Sequence, residues 1–161
     1  MRRRWDVGYA RVIVAMRTQQ QLVLFLIVLS LVSFPLHWLW EWVQCRPFLI
    51  HGASSPTLTA MLMATLGDVV LTLLAYGAVA VRYGTSWPLQ TWASGVWLIL
   101  LGMALMMSIG FEAYALHTGR WAYTDAAPRL PGTAISVLPV AQLIVLLPLS
   151  FKLTRLFVGR K

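Results

Sequence analysis

The sequence predicts an all-α fold: a transmembrane four-helix bundle with both termini in the cytoplasm. Hydrophobic residues make up 59% of the 161 positions and charged residues only 11%, with a mean hydropathy of +0.73. A soluble domain carries about 25% charged residues, so the chain is composed for a bilayer. The apolar residues also gather into four runs, each near the roughly 20 residues needed to cross a hydrocarbon core. Finally, the Lys and Arg residues stand at the ends of those runs, where they set orientation.

The chain divides into a basic amphipathic segment at 1–21, a four-span membrane domain at 22–155 and a basic tail at 156–161. In the first segment Arg2, Arg3, Arg4, Arg11 and Arg17 interleave with Trp5, Tyr9, Val12, Ile13 and Met16. The apolar members are spaced as one face of a helix lying on a membrane surface. No small-residue cleavage site follows the first apolar run, so that run reads as an uncleaved span.

Span one is expected over about 22–43. Pro35 should kink it, and Trp38, Trp40 and Trp42 mark an interfacial belt. Span two, about 58–81, is interrupted by Gly67-Asp68. A short loop with Arg82, Tyr83, Gly84, Trp87 and Pro88 leads to span three, about 92–116, which holds Ser108 and Glu112. The connection HTGRWAYTDAAPRLPG is polar, aromatic and rich in turn residues. Span four, about 133–151, contains Pro139 and Pro148, which should bend or break it.

Ten Lys or Arg residues fall on the side of the two tails and the 82–91 loop, against Arg46, Arg120 and Arg129 on the other. The positive-inside rule therefore places both termini in the cytoplasm, and the expected location is the inner (plasma) membrane as a multi-pass chain. The net charge of +8 follows from the same arrangement. Its expected partners are the bilayer and anionic lipids at the cytoplasmic face rather than nucleic acid. A second copy or another membrane protein is a further partner the sequence allows. The lone Cys45 excludes an intrachain disulfide.

Three of the five acidic residues, Glu41, Asp68 and Glu112, lie in or at the ends of apolar runs. A carboxylate at mid-bilayer costs about 2.5–3.5 kcal/mol, so such residues face a bundle interior or a wet cavity. At the rise of a helix, His37 lies about 9 Å below the outer end of span one, Asp68 about 15 Å into span two and Gln142 about 12 Å into span four. Glu112 is near the outer end of span three, His117 just above it, and Gln44 and Cys45 are near the surface. Each span thus offers a polar group to the outer half of the membrane, the pattern of a polar pocket opening outward. His37, Glu41 and Cys45 share one helical face, and Thr65, Asp68, Thr72 and Tyr76 form a second stripe.

These residues admit several roles. As interhelical glue they would hydrogen-bond between spans. As an acid–base site, Asp68 or Glu112 would donate a proton, with Glu41 orienting His37. As a metal site, His37, Glu41 and Glu112 would be the ligands, with Cys45, His51 and His117 within range and Met61, Met63, Met103, Met106 and Met107 as soft donors. The preferred reading is a site for a small apolar or amphipathic ligand, lined also by Gln142, Trp121 and Tyr123. No cofactor is indicated. In a scaffold protein the same side chains hold helices together, and the Trp121–Tyr123 loop meets a partner.

The segments PLHWLWEWVQC (35–45), ATLGDVVLTLLAYG (64–77) and GRWAYTDAAPRLPGTAISVLPVAQ (119–142) together resemble small four-span inner-membrane proteins of bacteria, a family that brings no assigned activity. Trp121, Tyr123, Gly132 and Leu138-Pro139-Val140 are similar to a pattern of membrane lycopene-cyclase domains, which implies isoprenoid chemistry at paired acidic residues. Here Ala141 and Gln142 stand in the place of that pair. The His37/Glu41 pair followed by Asp68 resembles sterol-isomerase-like bundles, which implies proton transfer on a sterol-like substrate.

Overall fold

The computed structural model describes residues 3–50 and 56–159, with side chains from residue 19 onward. Four long helices make up the described chain: α1 (Arg3–Phe48), α2 (Leu58–Tyr83), α3 (Ser94–His117) and α4 (Val137–Val158). Each contains a stretch long and apolar enough to cross a membrane, beginning in α1 at Gln19, as in a multi-pass membrane protein. The strand β1 (Leu49–Ile50) follows α1 and β2 (Ala122–Tyr123) follows α3. The two pair antiparallel, Leu49 opposite Tyr123, which ties the far ends of α1 and α3 together. A 3-10 turn at Trp87–Leu89 bridges α2 and α3 at the opposite end of the bundle, against Phe151 of α4.

The surface is inverted relative to a water-soluble protein. Leu31, Val43, Leu58, Val81, Leu98, Met106 and Phe157 point outward, whereas His37, Glu41, Gln44, Glu112 and Gln142 are buried. The buried stripe of α1 is Phe25, Leu29, Ser33, His37, Glu41 and Cys45, a strict four-residue spacing that keeps one face toward the bundle. That stripe changes character along its length. Toward the termini, Phe25 and Leu29 join Ala75, Tyr76, Val79, Trp87, Leu100, Leu147 and Phe151 in an apolar core. Toward the β1–β2 pair the stripe is polar, and a small second cluster of Cys45, Leu49, Met61, Tyr123 and Ala127 closes that end.

Trp87 anchors the apolar half. Its ring meets Phe151 edge-on at 4.9 Å and lies 5.4 Å from that of Trp92, while its indole N–H donates to the Tyr76 carbonyl at 3.3 Å. The Tyr76 hydroxyl in turn donates to the Thr85 carbonyl at 2.6 Å, so the turn is pinned to the helix it follows. Gly84 sits there at φ +79, a conformation open to glycine and costly for other residues.

Several expected boundaries shift. No break separates residues 3–21 from the first span, since α1 is continuous from Arg3 to Phe48 and passes through Pro35 and Pro47. The amphipathic pattern expected at residues 5–16 rests on side chains outside the described residues. Gly67-Asp68 does not interrupt α2. The Asp68 carboxylate is held by another helix and so does not compete for its own backbone. The fourth helix starts at Val137, not 133, because residues 128–136 form a closed loop. Val137 N–H donates to the Pro128 carbonyl, and Ser136 caps the helix by accepting from Leu138 N–H. Pro139 falls in the first turn, where the lost N–H had no helical partner, so it breaks nothing. Past Pro148 the helix runs on to Val158, well beyond the expected 151, with Phe151 and Thr154 still buried.

Candidate functional site

The polar half of the bundle converges on one amide. Gln142 projects from the second turn of α4 and is buried, as are Leu143 and Leu146 beside it. Its Nε2 lies 2.7 Å from Asp68 Oδ2 on α2, and 3.1 Å from Nδ1 of His37 and 3.3 Å from Oε1 of Glu41 on α1. Its carbonyl oxygen accepts from Gln44 Nε2 at 3.3 Å. Three helices are therefore joined through a single side chain. In an apolar bundle such bonds contribute about 0.6–1.7 kcal/mol each.

Around this amide the other groups are oriented in turn. His37 is fully buried, with Nε2 3.2 Å from Thr72 Oγ1 and Nδ1 3.5 Å from Asp68 Oδ2. Gln44 donates to Glu41 Oε1 at 2.8 Å and accepts from the Trp40 indole at 3.0 Å. The Cys45 thiol donates to Glu41 Oε2 at 3.1 Å. Asp68 keeps a side-chain accessibility of 17% and lies between the buried Thr65, Val69 and Thr72 of α2.

Glu112 belongs to the same end of the bundle but not to this hydrogen-bonded network. It is buried on α3 and accepts from the Tyr123 hydroxyl, a short contact across the connection that follows α3. Burial, and then the neighbouring Glu112 carboxylate, push the Tyr123 phenol far above its ordinary value, so the hydroxyl stays protonated and donates. Trp121, half-buried, lies against this pair and packs on the cluster that closes the bundle. No Lys or Arg pairs with Glu41, Asp68 or Glu112 among the described residues, where His37–Asp68 is the one ion-pair contact.

The expected site residues thus fall into two groups. His37, Glu41, Asp68 and Gln142 share one network, while Glu112, Tyr123 and Trp121 form a second cluster. Gln44 and Cys45, expected near the surface, are buried participants, because α1 continues one full turn beyond the expected end at residue 43. Thr72 is a direct partner of His37, which its membership of a polar stripe on α2 hinted at without specifying. Other expectations find no place here. Tyr76 of that stripe turns to the apolar half. His117 ends α3 in an exposed position, and His51 lies outside the described residues. Small hydroxyls at Ser33, Ser150 and Thr154 are buried toward the termini, where few polar groups were expected.

Among the described residues, no three His, Cys, Asp or Glu side chains are grouped so as to hold a metal ion. Of the methionines considered as soft donors, Met61 packs in the cluster with Cys45 and Tyr123, while Met63 and Met106 point outward. Chemically the network gathers the carboxyl groups of Glu41 and Asp68, an imidazole and two amides within hydrogen-bonding distance of one another, an arrangement that can hold or pass a proton. No family model, curated protein or solved structure matches the chain.

Proposed function

We propose that this is an integral protein of the bacterial inner membrane that binds a small amphipathic molecule, its polar end at His37, Asp68, Glu41 and Gln142 and its apolar body along the bundle. The observation that carries this reading is the convergence of α1 and α2 on Gln142 of α4, beside an Asp68 side chain that keeps 17% accessibility where its partners are buried. With the termini cytoplasmic, the site lies in the outer half of the membrane, while Arg82, Lys152 and Arg155 meet anionic lipids on the inner side. Lys152, 4.9 Å from the Trp97 ring centroid and 5.9 Å from that of Trp92, suits such an interface.

A second reading, acid–base catalysis on an isoprenoid or other lipid, is favoured by the approach of His37 to Asp68 within 3.5 Å. Both readings use the same residues. Native mass spectrometry of protein extracted into lipid discs tests the first. A discrete small molecule should accompany the native protein and be lost in Asp68→Asn and His37→Ala that remain folded. If all three proteins carry only bulk lipid, ligand binding is wrong. Near-stoichiometric zinc or copper that vanishes in His37→Ala would replace it with a metal site.

A further inference from the structure

The hydrogens around His37 can be assigned one at a time. Thr72 Oγ1 carries a single hydrogen and lies 2.9 Å from the Asp68 backbone carbonyl, which only accepts. We assign that hydrogen to the carbonyl, the shorter of the two contacts of Thr72 Oγ1, which makes the oxygen an acceptor toward His37. On that assignment His37 carries hydrogen on Nε2, the nitrogen 3.2 Å away, and Nδ1 is the lone-pair position of the neutral ring.

Gln142 determines what Nδ1 meets. Its amide orientation follows from Gln44, whose oxygen accepts from the Trp40 indole, so that the Gln44 Nε2 is the group that donates to the Gln142 oxygen. The Nε2 group has two hydrogens and three acceptors in reach, Asp68 Oδ2 at 2.7 Å, His37 Nδ1 at 3.1 Å and Glu41 Oε1 at 3.3 Å. The short contact to Asp68 takes one hydrogen. The other has two takers, and the protonation of His37 chooses between them. With Nδ1 bare, the hydrogen goes to His37 and Glu41 is held by Gln44 and Cys45. With Nδ1 protonated, the new N–H turns to Asp68 and the Gln142 hydrogen passes to Glu41. Each state is satisfied, and the exchange needs only small rotations.

We infer that Nδ1 of His37 is a proton-exchange site, with Asp68 as its proton partner and Gln142 as the residue that positions both. The inference rests on the proposed reading of this cluster as a working site, and it identifies the proton as one of the species that site handles. In the transfer an O–H bond on Asp68 breaks as an N–H bond on His37 forms, and no electrons change owner. His37 is fully buried while Asp68 keeps 17% side-chain accessibility, so of the pair Asp68 is the member through which a proton enters and leaves. The titratable groups facing the pair are Glu41 and Cys45 from α1 and Glu112, bonded to Tyr123, from α3. α4 contributes only the neutral Gln142.

The test is nitrogen NMR of histidine-labelled protein in lipid discs, in a His51→Gln, His117→Gln background so that His37 alone reports. In its neutral form His37 should show hydrogen on Nε2 and a bare Nδ1, and on titration Nδ1 should be the nitrogen that gains the proton. Asp68→Asn should weaken proton binding at His37 at least tenfold. Thr72→Val, which keeps the shape but removes the acceptor, should redistribute the neutral tautomer toward Nδ1–H. A neutral ring with hydrogen on Nδ1 in the background protein would overturn the inference, as would an unchanged midpoint in Asp68→Asn or an unchanged tautomer in Thr72→Val. No ligand enters this measurement. A titrating His37 in a protein that carries no bound molecule refutes ligand binding alone, and a bound molecule beside a non-titrating His37 refutes proton exchange alone.

Discussion

Replacing Gln142 with leucine removes one side chain and strips α1 and α2 of their common partner on α4. The substitution deletes the donation to Asp68 at 2.7 Å, the hydrogen shared by His37 and Glu41, and the acceptor of Gln44. At about 0.6–1.7 kcal/mol for each bond between membrane helices, three lost bonds amount to about 2–5 kcal/mol. Leucine returns little, because transfer of apolar surface does not drive helix association inside a bilayer. The value follows from reversible unfolding in mixed micelles, with tryptophan fluorescence as the signal. Gln142→Glu sharpens the comparison. It preserves size but exchanges the donor for an acceptor facing two carboxylates, so it should be less stable than Gln142→Leu at neutral pH. A Gln142→Leu protein within about 0.5 kcal/mol of the native one would refute the argument that this amide joins the helices. A Glu variant more stable than the Leu variant would refute the assignment of Gln142 as donor.

Two further outcomes can be checked. Trp87→Ala should cost about 3–5 kcal/mol in the same unfolding assay, since it leaves a cavity among Tyr76, Trp92 and Phe151 and removes the indole N–H bonded to the Tyr76 carbonyl; a loss below about 1 kcal/mol would contradict the packing. Cys45 is buried and should resist maleimide until the protein is denatured, so a cysteine at Ala126 in a Cys45→Ala background can report topology cleanly; labelling from the cytoplasmic side would reverse the orientation.

How much of this could be read in advance depended on the kind of signal. The four helices were legible because an apolar run of membrane length is a one-dimensional property of the chain. The meeting of His37, Glu41, Asp68 and Gln142 followed from converting position into depth, since helix rise is nearly constant. Helix ends were less legible. Span one was expected to end near residue 43, yet α1 runs through Arg46 and Pro47 to Phe48, which carries Gln44 and Cys45 inward onto the Glu41 face. The start of α4 depended on a loop closed by contacts between Pro128 and Ser136–Val137, which no local pattern announces. Depth also could not specify partners. Glu112 lies at the expected level, but its hydroxyl donor comes from Tyr123, eleven residues on, while His37 receives Thr72 and Gln142.

That the central amide sits on the last helix has a consequence for how the protein is made. Synthesis proceeds from the N-terminus, so Glu41 and Asp68 enter the bilayer well before Gln142 leaves the ribosome. Until then the nascent chain carries carboxylates in lipid without the donor that joins them, and Gln44 and Cys45 supply hydrogens to Glu41 alone. The apolar half does not wait in the same way, since Phe25, Leu29, Ala75 and Val79 can pack as soon as two helices are inserted. Arrival of α4 thus completes the polar half of the molecule, and chains that stop short of it lack the amide that joins Glu41 and Asp68.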